Sequence, residues 1–155
     1  MEAALRLGIF IGIFTIVAIL EAVLPRRPKV GDWRPRWMIN LSILVLNIFV
    51  QRVTVGAAAF ATAVYAQQQG WGLFGYLDWP WWLEAVLSFL LLDLAIYLQH
   101  VMSHALPIFW RLHQVHHADL DVDLTTGTRF HPLEIIISMI YKAGLVAAIG
   151  VDPWV

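Results

Sequence analysis

Four stretches of this chain are each long and apolar enough to cross a lipid bilayer, and they limit its possible folds more than any other feature. The first, Leu5 to Leu24, carries only Arg6 and Glu21 as charges, both near its ends. A run of about 20 apolar residues is what a spanning helix needs. It is too long for the apolar core of a cleaved leader, and Glu21-Ala-Val-Leu-Pro25 is a poor small-residue cleavage site, so it reads as a retained helix. The second, Trp37 to Ala66, is interrupted by Asn40, Asn47, Gln51 and Arg52. It exceeds one straight span and predicts a long tilted helix or one with an interfacial end. Arg52 at bilayer depth then has to snorkel or find a partner. The third, Trp81 to Gln99, carries Glu84 and Asp93. The fourth, Leu133 to Val151, is preceded by His131-Pro-Leu-Glu134, with proline and an acid in the first turn, and is closed by Asp152-Pro153. The expected fold is therefore all-α, a polytopic membrane protein of about four transmembrane helices.

Composition agrees and removes several functions. Of the 155 residues, 60% are hydrophobic and 14% charged, against about 45–50% and roughly 25% in soluble domains. A net charge of −1 with no basic stripe outside one short loop argues against nucleic acid as a partner. The absence of cysteine excludes disulfides, thiolate zinc sites, cysteine-ligated iron–sulfur clusters and cysteine nucleophiles. Any metal must be held by nitrogen and oxygen. The one basic loop, Pro25 to Arg36, contains Arg26, Arg27, Lys29, Arg34 and Arg36, half of all Lys and Arg. The positive-inside bias puts it in the cytoplasm. Gln67 to Trp82, with Trp71, Trp79, Trp81 and Trp82, reads as an outer turn with an aromatic belt. Three spans then bring the histidine-bearing helices to the cytoplasmic side.

All six histidines lie between His100 and His131, and five form two clusters, His100-x3-His104 and His113-x2-His116-His117. Imidazole is a common ligand for transition metals. On a helix, positions i, i+3 and i+4 share a face, so each cluster can aim its nitrogens at one point. Asp93 and Tyr97 continue the face of His100 and His104 backwards. They either hydrogen-bond the imidazoles, fixing tautomer and orientation, or, for Asp93, pair with a neighbouring arginine. His131 ahead of its proline fits a helix start as well as ligation. Imidazole suits zinc, copper, iron and nickel alike. Five or six histidines exceed one four-ligand zinc site. The excess points to two ions, and two irons can share the oxidising equivalents of dioxygen.

His100-Val-Met-Ser-His104, Trp110-Arg-Leu-His113-Gln-Val-His116-His117 and the stretch from Asp123 to Glu134 together resemble the fatty acid hydroxylase / sterol desaturase superfamily. These are membrane-bound di-iron oxygenases with HxxxH and HxxHH boxes. The resemblance is strongest from Asp93 to Gly150. It implies His100, His104, His113, His116 and His117 as iron ligands, His131 as the histidine of the His-Pro that many members carry, and Asp93 and Tyr97 as the acidic and aromatic positions before the first box. It further implies two iron ions, O2 as co-substrate, a lipid substrate (fatty acyl or sterol-like) that is hydroxylated or desaturated, and an external electron donor. The chain then divides into an N-terminal helix with its basic linker, 1–36, and a partial hydroxylase-like domain, 37–155. Val101 stands where the family usually has arginine. The family's last histidine box falls beyond Val155, so the expectation is a fragment whose metal site is completed by further residues. Three other readings compete. A haem-binding electron carrier needs histidines spaced on different helices, and a transporter needs ionisable groups inside several spans. The third is a truncated, non-catalytic membrane protein with an incomplete site.

Overall fold

The computed structural model describes residues 2–76 and 80–152. Among these residues, six α-helices run in the order α1 (Glu2–Val23), α2 (Trp33–Thr54), α3 (Ala58–Gln68), α4 (Trp81–Ala105), α5 (Pro107–His113) and α6 (Pro132–Ile149). Short 3-10 turns occupy Leu73–Tyr76 and Thr126–Thr128. No strand occurs among the described residues. Three helical segments are long and apolar enough to cross a membrane: Trp33–Tyr76, Trp81–Ala105 and Pro132–Ile149; α1 adds the shorter apolar stretch Leu7–Val23.

The distribution of side chains is that of a polytopic membrane protein. Large apolar residues face outward along whole helices, among them Ile13, Ile16 and Ile19 on α1, Val45 and Phe49 on α2, and Phe89 and Leu90 on α4. Many of the buried groups are polar: Asn40, Ser88, His113 and Thr125 are the largest side chains to be almost fully enclosed. In hydrocarbon, outward-facing Ile and Leu cost nothing, whereas polar groups have to find partners inside.

The second apolar stretch does not form the single long helix expected of it. Helix α2 stops at Thr54 and α3 starts at Ala58. Gly56 has φ +29° and its N–H bonds back to the Gln51 carbonyl, which ends the ladder. Arg52 lies exposed in the last turn of α2, where its charge complements the helix dipole. Helix α3 packs on α6, and a small core of Ala63, Val146 and Val151 joins them, with Leu92 and Ile149 alongside. Helix α6 ends at Ile149 rather than at the expected Asp152-Pro153. Gly150 adopts a left-handed cap, and its backbone lies so close to Gly72 that a Cβ at Gly72 would sit 2.2 Å from the Gly150 Cα. Trp71, Trp81 and Trp82 are exposed as a belt requires, while Trp79 and Pro153 lie outside the described residues.

Candidate metal centre

The last turns of α4 bring His100 and His104 to one face, with their Nε2 atoms 3.2 Å apart. Leu106, extended at ψ 121°, then breaks the helix, and Pro107 starts α5, whose final residue is His113. Beyond it the chain continues through successive i to i+3 turns: the His116 N–H donates to the His113 carbonyl and the His117 N–H to that of Gln114. The HxxHH cluster is therefore not helical throughout. The tighter winding turns His117 back toward His113, with Nε2–Nε2 at 3.2 Å. One ring nitrogen from each of His100, His104, His113 and His117 lies within 4.8 Å of the others. Trp110 flanks this group, its ring 5.4 Å from His104 and 5.8 Å from His117.

These separations fit a metal ion. Four nitrogens bound at about 2.0–2.1 Å around one tetrahedral ion sit roughly 3.3–3.4 Å apart. The closest pairs here already have nearly that spacing, with no carboxylate intruding between them.

His116 takes a different position. Its ring stacks on Phe130 (4.6 Å, 7°), 5.4 Å from the His113 ring, and its Nδ1 is buried with no hydrogen-bond partner. Burial lowers its pKa, helped by the neighbouring His113. The pKa of His117 is lowered likewise, first by burial and then by His116 and His113. Both effects favour neutral imidazole, the form that ligates metals. His131 stands apart: its Nδ1 accepts the Leu133 N–H at 3.1 Å and caps α6. Asp93 and Tyr97 stay exposed on α4, and among the described residues neither hydrogen-bonds a histidine.

The carboxylate that does reach the cluster is Glu134, read in the sequence only as a helix-start acid. Its Oε1 lies 2.6 Å from His113 Nδ1, and the His113 side chain is 1% exposed. With Nδ1–H donating to Glu134, the Nε2 lone pair of His113 points toward His117 and the other ring nitrogens. The second Glu134 oxygen is buried without a partner. Behind this pair lies an apolar cavity of about 80 Å3, lined by Met102, Phe109, Leu112, Ile137 and Tyr141 among others.

A second missed feature holds the loop that follows the histidines. Arg36, in the first turns of α2, meets three aspartates: Asp119 at 2.7 Å, Asp123 at 3.1 Å and Asp121 at 3.6 Å. Arg36 also donates to the Asp121 carbonyl. Asn40 donates to Asp119 and Thr125, and the Trp37 indole N–H to Asp123. Burial works to raise the Asp119 pKa, but hydrogen bonds from Arg36 and Asn40 overcome it and hold the carboxyl well below its usual range. Burial also opposes ionisation of Asp123, and the Thr125 hydrogen bonds outweigh it. The Asp-x-Asp-x-Asp run with an arginine upstream was the available signal. Glu21 of α1 adds a tie by accepting the Leu124 N–H at 3.0 Å. A cavity of about 450 Å3 opens between Glu21, His116, His117 and this loop.

The geometry gives an all-helical membrane protein with a polyhistidine cluster that could hold a metal ion, and comparison with known proteins adds what the chain is similar to. A family model for fatty acid hydroxylases matches residues 85–155, which include every histidine. That segment is similar to the fatty acid hydroxylase family. It is 43% identical over 51 residues to alkylglycerol monooxygenase of Xenopus tropicalis, covering 33% of this chain and 10% of that protein. The Homo sapiens alkylglycerol monooxygenase is 38% identical over 69 residues, 44% of this chain and 15% of the relative. That of Danio rerio is 33% identical over 81 residues, 48% and 17% respectively. The matches thus span less than a fifth of each relative's length. No solved structure matches the chain.

Proposed function

We propose that this chain carries part of an iron- and O2-dependent membrane oxidoreductase that hydroxylates a lipid. The observation that carries this reading is the convergence of His100, His104, His113 and His117 nitrogens within 4.8 Å, inside a segment matched by the fatty acid hydroxylase family. Those four histidines would hold the first iron. His116, with its buried and unpartnered Nδ1, is the remaining imidazole available to a second ion. Bound iron supplies the electron-transfer chemistry that activates dioxygen toward an unactivated C–H bond.

The chain's own residues prepare that site. Glu134 sets the tautomer of His113 and locks its ring. Trp110 packs near His104 and His117, and Phe130 stacks on His116. The Arg36 knot holds the loop after His117 against α2, so that the second cluster keeps its place beside the first. Apolar helix surfaces next to the cluster let a lipid approach sideways from the bilayer, with the site on the cytoplasmic side as the basic linker indicates. Electrons come from an external donor. The relatives are named for alkylglycerols, so a glycerol ether lipid is the first substrate to test, ahead of free fatty acids and sterols.

The test is iron per chain after anaerobic purification in detergent, compared with a His113→Ala/His117→Ala double variant. Iron bound to the wild type and lost from the variant supports the reading. Iron retained by the variant refutes the assigned ligands. Oxidation of an alkylglycerol by the loaded, chemically reduced protein under O2 then tests the reaction itself.

A further inference from the structure

The basic linker has features that topology alone does not require. Arg26, Arg27 and Lys29 line a cavity of about 490 Å3 whose opposite wall is the loop after the histidines, with Leu120, Asp121, Val122 and Asp123. Three carboxylates border this cavity, yet all are engaged elsewhere. Asp121 accepts the Val30 and Gly31 N–H groups at 3.0–3.1 Å, Asp123 accepts from Thr125 and pairs with Arg36, and Glu21 accepts the Leu124 N–H. Among the described residues, Arg26, Arg27 and Lys29 make no hydrogen bond or ion pair, so their charges are free for a ligand.

The rim of the same cavity is apolar and outward-facing. Leu24, Val30, Leu120 and Val122 are 71%, 80%, 86% and 89% exposed. Leu120 and Val122 lie on an irregular loop and not on a spanning helix. Bare aliphatic side chains around unpaired cations, one turn beyond the end of an apolar helix, match the chemistry of the bilayer interface. Cations there meet phosphate, and the aliphatic groups dip among acyl chains.

We propose that this cavity binds the phosphate headgroup of an anionic phospholipid, with Arg26, Arg27 and Lys29 as its ligands and Leu24, Val30, Leu120 and Val122 seated against the acyl region. The site shares Glu21, Val122 and Asp123 with the cavity in front of His116 and His117. A bound lipid therefore braces the loop that follows the second histidine cluster. The inference does not depend on the metal reading.

The experiment uses the full chain, delipidated in mild detergent and titrated with phosphatidylglycerol or phosphatidylcholine, with bound lipid counted by native mass spectrometry. Wild type is expected to retain one phosphatidylglycerol in preference to phosphatidylcholine. Each cation near an anionic surface contributes roughly fivefold in affinity, so Arg26→Gln/Arg27→Gln/Lys29→Gln should weaken retention about a hundredfold. Arg34→Gln, whose guanidinium stacks over Trp33 outside the cavity, should change it little. Equal retention of the two lipids, or an equal loss in Arg34→Gln, overturns the proposal. Displacement of the lipid by inorganic phosphate at matching concentration also overturns it, because the ligand is then a soluble phosphate. If the triple variant fails to fold, lipid preference and phosphate competition on the wild type decide the matter without it.

Discussion

Replacing Glu134 with alanine removes the acceptor for a ring nitrogen that is almost fully enclosed. The bond is short at 2.6 Å, and the two side chains are 1% and 14% exposed, so water is poorly placed to substitute for the carboxylate. An orphaned buried donor costs about 1–3 kcal/mol. The loss falls on the metal-binding form, because the ring is then free to rotate and to place its proton on Nε2. Removing such an outer partner lowers metal affinity typically about 10–100-fold, which at 1.36 kcal/mol per decade is about 1.4–2.7 kcal/mol. The two estimates agree. The assay is competition for Fe2+ or Co2+ against a calibrated chelator, under argon, with the metal-free thermal midpoint measured in parallel. Glu134→Gln keeps an acceptor oxygen and should lose less than Glu134→Ala. A folded Glu134→Ala protein that binds metal as tightly as wild type would refute the argument that this carboxylate prepares His113.

Other perturbations test the framework around the site. Arg36→Met leaves Asp119 and Asp123 buried without their counter-charge, and breaking a buried ion pair in this way costs about 3–5 kcal/mol; a marked drop in the detergent melting temperature is expected, and an unchanged one rejects the knot as a structural element. The same aspartates predict acid sensitivity. Their folded pKa values are depressed, so their contribution is complete above the ordinary value of 3.8 and is lost as pH falls from there toward the folded values. Melting temperature should fall below about pH 4 in wild type and less steeply in Arg36→Met. Gly72→Ala forces a Cβ into the Gly150 backbone at φ +99° and should destabilise by more than the about 1–3 kcal/mol of a strained backbone alone. Gly144→Ala, with no atom within 4 Å, should be neutral or stabilising by up to about 1 kcal/mol.

Much of this protein was readable one segment at a time. Apolar runs located α1, α4 and α6, although α4 continues six residues past Gln99; they gave no sign of α5, and at Gly56 a local backbone choice split the second stretch into α2 and α3. The ambiguity of that stretch is physical. A single glycine between the β-branched Val53-Thr54-Val55 and the alanine-rich Ala57 to Ala61 supports a continuous helix and a broken one about equally, and packing of α3 on α6 decides. The spacing of His100 with His104 identified a shared face correctly. Helical spacings of three and four from His113 did not make His116 and His117 equivalent, because the chain leaves helical geometry after α5.

The sequence by itself determined the class of the molecule and the donor atoms open to it: an all-helical membrane protein, without thiols, whose imidazole nitrogens lie between residues 100 and 131. Those properties depend on hydrophobic length and on short-range spacing, which are local. Only the tertiary structure decided which side chains serve the cluster. Glu134 meets His113 across 21 residues, and Arg36 meets Asp119 across 83. Asp93 and Tyr97 lie on the same helix as His100 and His104 yet remain exposed on α4. A carboxylate reaches an imidazole through the docking of α6 against α5, a contact between elements that the pattern within either one does not encode.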